Sequence, residues 1–186
     1  MDVLTEDHYN PSGDGCEPES ALRQTHRPLE ILVIDDGSTD DTHEILARYG
    51  NAIRRFVQQN RGPSAARNMG INAARGDWVA FLDADDFWHE EKLELQMQGA
   101  VAHPQVCLIG AFCSDVPARP PAEQFSLIGT ANLVGALPFG NSSTVTRRDA
   151  LLKAGLFNEN RRWAEDRELW LKLSCAGKIG RVNRPL

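Results

Sequence analysis

Apolar and polar positions along the chain fall into two alternating patterns. Leu29-Glu-Ile-Leu-Val-Ile34 and Trp78-Val-Ala-Phe-Leu82 are short, nearly continuous apolar runs. Runs of this kind fit strands buried on both faces, as in a parallel sheet. Ile53 to Val57, Val106 to Phe112, Ser142 to Thr146 and Ile179 to Val182 are further strand candidates. Helical stretches lie between them. Asp41 and Glu44 have capping-box spacing and predict a helix to Tyr49, with Gly50 as its stop. Gly62-Pro63 opens a second helix whose face carries Ala65, Ala66, Met69, Gly70, Ala73 and Ala74, small residues suited to close packing on a sheet. Other helices are predicted through Leu93, Met97 and Val101, over Arg148 to Ala154, and from Glu165-Asp166 through Leu169, Trp170 and Leu173 to Gly177. The βαβαβ order predicts an α/β domain with a mostly parallel sheet flanked by helices, over residues 20–186. Residues 1–19 show no periodicity and predict an irregular lead, while residues 114–138, rich in Pro, Gly and Ala, predict a long loop.

Composition narrows the function classes. The 186 residues suit one domain with a sizeable core. The net charge is −6 and the basic residues form no tract, which argues against nonspecific nucleic-acid binding. An anionic nucleotide needs only one or two local cations and a metal. No apolar run approaches the roughly 20 residues of a membrane helix, and the first ten residues lack the basic and apolar regions of a signal peptide. A cytoplasmic protein is expected, with peripheral membrane association compatible. Cys16, Cys107, Cys113 and Cys175 form no C-x-x-C pair and have no histidine at ligand spacing, so idle thiols are expected.

The chemistry concentrates where the two strongest strands end. Each runs straight into an aspartate cluster: Asp35-Asp36 after the first, Asp83-Ala-Asp85-Asp86 after the second. If both strands are parallel, these carboxylates share the sheet edge where open α/β sheets bind ligands. Crowded carboxylates repel unless a cation sits among them, and a hard divalent ion, Mg²⁺ or Mn²⁺, suits oxygen donors. The plainer alternative, turn and helix-cap aspartates, fits Asp40 and Asp41 better than Asp83 and Asp85. An EF-hand is excluded, because Phe87 and Trp88 occupy the fifth loop position and the turn-glycine position. A strand ending in Asp-x-Asp also resembles the nucleophile motif of haloacid-dehalogenase-like phosphohydrolases. Phe87 departs from that pattern, and the later Gly-Asp-x-x-x-Asp motif is absent.

Four stretches together resemble family 2 glycosyltransferases: Pro28-Leu-Glu-Ile-Leu-Val-Ile-Asp-Asp-Gly-Ser-Thr-Asp40, Asn60-Arg-Gly-Pro-Ser-Ala-Ala-Arg-Asn-Met-Gly-Ile71, Gly76-Asp-Trp-Val-Ala-Phe-Leu-Asp-Ala-Asp-Asp86 and Ala164-Glu-Asp-Arg-Glu-Leu-Trp170. The resemblance implies a GT-A fold and metal-dependent, inverting transfer of a sugar from a nucleoside-diphosphate-sugar donor to a hydroxyl acceptor, such as a glycan or lipid-linked sugar of the cell envelope. It implies that Asp36, with Asp35 beside it, contacts the nucleobase and that Arg67 lies near the nucleotide. Asp83 is then the first aspartate of the D-x-D motif, near the ribose, and Asp85 the metal ligand. Asp166 of the Glu165-Asp166 pair is the implied catalytic base. Trp170 has two open roles, shaping the acceptor pocket or filling the core. His89 lies near the D-x-D motif but reads as a solvated residue at a helix start.

The pattern departs from the family at its start. Family members open with a strand that reads like Val-Ser-Val-Ile-Ile-Pro-Thr-Tyr-Asn, whereas Val3-Leu4 is short and Tyr9-Asn10-Pro11 runs into turn residues. The expectation is therefore that the first strand is missing and that the run Leu29 to Ile34 exposes an edge open to self-association. The chain also stops soon after the base motif. A noncatalytic remnant of the same fold stands as the alternative to an enzyme.

Overall fold

The computed structural model describes residues 1–7, 17–112, 123–135, 139–161 and 163–186. Among the described residues eight strands form one sheet: β1 (Asp2–Asp7), β2 (Glu30–Asp35), β3 (Arg54–Val57), β4 (Trp78–Asp83), β5 (Val106–Phe112), β6 (Phe125–Ile128), β7 (Val145–Arg147) and β8 (Lys178–Pro185). Their order is β3-β2-β1-β4-β7-β5-β8-β6. The β3-β2-β1-β4 half is parallel throughout, β7 runs antiparallel to β4 and β5, and β6 antiparallel to β8. The helices are α1 (Glu17–Leu22), α2 (Thr42–Ala47), α3 (Pro63–Ala73), α4 (Lys92–Ala102), α5 (Thr130–Gly135), α6 (Arg148–Ala154) and α7 (Glu165–Ala176).

The strand pleat divides the core between two faces. Leu32 and Ile34 of β2 and Phe81 of β4 pack with Ala66 and Ile71 of α3, Leu151 of α6 and Leu169, Trp170 and Leu173 of α7. Ile31 and Val33, with Ala80 and Leu82, face the other way, onto Ala21 of α1, Leu46 of α2 and Leu93 of α4. The predicted α/β architecture with a mostly parallel sheet is the observed one.

The expected missing strand is a correction. Asp2–Asp7 forms β1, and it sits between β2 and β4, hydrogen-bonded in parallel to both. Its few apolar residues are used on both faces: Leu4 joins the α3 side and Val3 the α1 side, each almost wholly buried. Full burial of a side chain of this size contributes roughly 1.5–3 kcal/mol. Polar residues concealed the strand from a periodicity reading, yet Asp2 and Thr5 are buried too. The Asp2 carboxylate accepts hydrogen bonds from the backbone N–H groups of Arg75 and Gly76, which join α3 to β4. Burial raises its pKa, opposed by those two donors. Two glycines make room for the strand. A Cβ on Gly70 would lie 2.7 Å from Leu4 Cδ2, and one on Gly76 would lie 2.7 Å from Asp2 Oδ1.

With β1 in place, β2 is paired on both edges, by β1 and β3, so the basis for self-association through that edge is gone. The predicted irregular lead is likewise corrected at residues 2–7 and from Glu17, where α1 begins; residues 8–16 lie outside the described ones. The predicted loop 114–138 contains β6 and α5 where it is described. Among the described residues no helix is long and apolar enough to cross a membrane. Cys107 is buried and Cys175 exposed, both as free thiols; Cys16 and Cys113 lie outside the described residues.

Asp2→Ala removes the acceptor for two backbone N–H groups at the start of a central strand. It is expected to cost about 1–3 kcal/mol of stability, read as a lowered urea midpoint.

Candidate functional site

The carboxyl ends of β1, β2 and β4 are level: Asp7 pairs in register with Asp35, and Glu6 with Asp83. The aspartate clusters that follow β2 and β4 therefore do share one edge. Leu4 and Thr5 of β1 lie buried beneath the cleft at this edge, packed with Ile34, Arg67, Phe81 and Asp83.

Asp35 and Asp36 shape the cleft in different ways. The Asp35 side chain is fully buried; it accepts the N–H groups of Gly37 and Ser38 through one oxygen and meets Arg55 and His43 through the other. Its oxygens are committed to the turn after β2, not to the cleft. Asp36 accepts Gln58 Nε2 at 2.6 Å, the Arg61 N–H at 2.9 Å and the Gly62 N–H at 2.7 Å. It thereby clamps the loop that leads into α3. That helix starts cleanly because Pro63 sits in its first turn, where a missing N–H costs nothing.

Arg67 lies one turn into α3 with a nearly buried side chain. Its Nη2 donates to Asp83 Oδ1 at 3.1 Å and its Nη1 to Glu165 Oε1 at 3.0 Å. Its guanidinium stacks 5.4 Å from the Phe157 ring centre. One side chain thus joins the end of β4 to the start of α7, although Glu165 lies 98 positions beyond Arg67 in the chain. The neighbouring Asn68 supports the same junction. It donates to the Phe157 carbonyl and to Glu159, and accepts the Phe157 N–H. Arg61 pairs with Glu159 at 2.8 Å.

Asp83 is partly solvated, and its N–H donates to Ser142 Oγ at 2.9 Å. Asp85 is exposed. Asp166 is half-buried in the first turn of α7 and accepts the Arg167 N–H. Glu165, Asp166 and Glu168 crowd that turn, where the helix dipole favours negative charge. Ala164, just before them, is held left-handed at φ 55°, which is uncommon for a residue other than glycine. Trp170 is wholly buried against Phe81 and Phe157, so the core role describes it and the acceptor-pocket role does not. His89 is exposed and sits beside Glu91. Among the described residues no group of three or more His, Cys, Asp or Glu side chains converges as a ready-made metal cage.

Asn68, Glu159 and Ser142 escaped the sequence reading. The signal for Asn68 was present, a polar side chain next to Arg67 on a helix face of small residues. Glu159 and Ser142 carry no such mark.

The model of the family described as "Glycosyl transferase family 2" matches residues 18–158. The chain belongs to glycosyl transferase family 2. A glycosyltransferase of Rickettsia felis, otherwise uncharacterised, is 34% identical over 179 residues, covering 90% of this chain and 29% of that protein. The Escherichia coli glucosyltransferase WfaP is 40% identical over 81 residues, 42% of this chain and 32% of WfaP. The matched stretches thus span about a third or less of the length of these two relatives. The S. aureus TarS structure in complex with UDP superposes with a TM-score of 0.82 at 22% identity, covering 98% of this chain and 57% of that one. The Pyrobaculum calidifontis mannosyltransferase PcManGT, in complex with GDP-Man and Mn²⁺, superposes with a TM-score of 0.68 at 20% identity, covering 99% of this chain and 54% of that one. The fold is that of the GT-A transferases, and family 2 membership closes the phosphohydrolase alternative.

Removing the guanidinium leaves Asp83 and Glu165 unpaired. Arg67→Met is expected to cost about 2–4 kcal/mol by urea unfolding, below the upper range for breaking a fully buried pair because both partners are partly solvated.

Proposed function

We propose that this domain transfers a sugar from a nucleoside-diphosphate-sugar donor to a hydroxyl acceptor, with inversion and with the help of a divalent cation. The observation that carries the proposal is the Arg67 bridge, which ties Asp83 of the D-x-D turn to Glu165 of the Glu165-Asp166 pair. The remnant alternative rested on a missing first strand, and β1 fills that place.

In this reading the acceptor oxygen bonds to the anomeric carbon as the bond from that carbon to the diphosphate oxygen breaks. The diphosphate leaves with the electron pair, and the acceptor proton passes to Asp166. A single displacement needs no covalent intermediate, so inversion follows. Asp83 and Arg67 border the nucleotide and Asp36 holds the loop beside it. The donor set fits Mg²⁺ or Mn²⁺: Asp85 is a solvent-facing carboxylate, and Mg²⁺ is commonly held by one or two carboxylates plus substrate phosphates, without an all-protein cage. Asp85 is the residue that would hold such an ion, and the ion would neutralise charge on the departing diphosphate. TarS has been crystallised with UDP and UDP-GlcNAc, which supports a uridine nucleotide as the first donor to test. WfaP and the putative teichuronic acid transferase TuaG of Bacillus subtilis support a glycan or lipid-linked sugar of the cell envelope as acceptor.

Two substitutions separate the roles. Asp85→Asn is expected to weaken Mn²⁺-dependent UDP binding by tenfold or more, by calorimetry; identical titrations with and without the metal would remove Asp85 as its ligand. Asp166→Asn is expected to abolish transfer while donor affinity stays within about twofold, since the base acts on the acceptor. Full transfer by that variant would remove Asp166 from the mechanism.

A further inference from the structure

The D-x-D turn is fastened from beneath by a closed polar circuit. The segment from Asp83 to Trp88 is tied at both ends to one residue, Ser142, in the 3-10 turn Asn141–Ser143. The Asp83 N–H donates to Ser142 Oγ at 2.9 Å, and Trp88 Nε1–H donates to the Ser142 carbonyl at 2.6 Å. Asp85 and Phe87, between those ties, are exposed. On the buried side, Lys92 Nζ lies 4.1 Å from the Trp88 ring centre and donates to Gln96 Oε1 at 2.9 Å. Gln96 Nε2 in turn donates to the carbonyls of Ile109 and Ser143, each at 2.9 Å. The circuit runs from Trp88 through the 3-10 turn to Gln96, to Lys92 and back to Trp88.

Lys92 is the anomaly in it. The residue is fully buried, and burial alone drives its pKa well below the usual lysine range. Removing an ammonium from water is costly, and an apolar side chain of similar volume usually does as well or better for stability. Stability alone therefore does not account for a lysine here. What an apolar residue cannot supply is an amine over the indole face that also donates to Gln96. Those two contacts fix the Trp88 ring against α4, and the Trp88 N–H fixes the far end of the turn that carries Asp85.

We propose that Lys92 is a positioning residue for the D-x-D turn: acting through Trp88 and Gln96, it holds Asp85 in the orientation that receives the diphosphate and its divalent ion. This rests on the donor-binding role proposed above. Groups that orient a metal ligand from behind characteristically change metal affinity when lost.

The test is Lys92→Met in the full chain, with three readouts. Thermal unfolding is expected at the same temperature or higher. Calorimetric UDP affinity in Mn²⁺ is expected to fall about ten- to a hundredfold, with little change in its metal-free affinity. Hydrogen exchange over residues 84–88 is expected to quicken without ligand. Trp88→Phe keeps an aromatic side chain but is smaller and lacks the N–H to Ser142; it is expected to weaken Mn²⁺-dependent binding in the same way and serves as a second probe of the circuit. A lowered unfolding temperature with unchanged Mn²⁺–UDP affinity and unchanged exchange would make Lys92 a stability residue and overturn the proposal. If the unsubstituted chain shows no metal-dependent UDP binding, the donor-binding role fails by itself, and the exchange comparison still decides whether Lys92 holds the turn.

Discussion

The buried guanidinium of Arg67 is the constraint on which the rest of the cleft depends. Its two nitrogens reach carboxylates that come from opposite halves of the chain, Asp83 at the end of β4 and Glu165 at the start of α7. A guanidinium offers donors in a planar fork, so it fixes direction as well as charge in a way a lysine does not. Phe157 limits where the plane can lie. The side chain is useful only if α3 is itself fixed, and Asp36 provides that by gripping the loop at Gln58, Arg61 and Gly62. The Asp36 carboxylate thus acts at a distance on the Glu165-Asp166 pair, through a loop, a helix and one arginine.

β1 supplies the second constraint. As the central strand of the parallel half, it brings the ends of β2 and β4 level and places Leu4 and Thr5 in the floor of the cleft. Its anchorage is polar at one end, where Asp2 holds the α3–β4 connection, and apolar in the middle, where Val3 and Leu4 serve opposite faces. α3 is therefore tied to the sheet at both of its ends, by Asp36 before it and by Asp2 after it. That double attachment gives Arg67 a rigid base.

Much of this was legible in the sequence. The runs before Asp35 and before Asp83 are apolar because the strands are buried on both faces, and their aspartates mark where the chain leaves the sheet. Pro63 and the small residues after it announced α3. Other features depend on partners far away in sequence. Val3-Leu4-Thr5 is too short to signal a strand, and it becomes one because β2 and β4 provide hydrogen-bonding edges on both sides. The Pro-, Gly- and Ala-rich stretch hid β6 and α5. Trp170 lies on a helix face that periodicity identifies as apolar, but only the packing of Phe81 and Phe157 shows that it turns into the core. The Arg67–Glu165 pair and the circuit beneath the turn from Asp83 to Trp88 have no local pattern at all.

The central claim is that one arginine holds the two sides of the cleft as a unit. Hydrogen exchange on an Arg67→Lys variant tests it most directly, because lysine keeps the charge but not the two-way fork. The account predicts faster exchange in both segments, residues 83–88 and residues 163–168, with β2 and β5 left as protected as in the unsubstituted chain. Faster exchange in only one segment, or in neither, would contradict it.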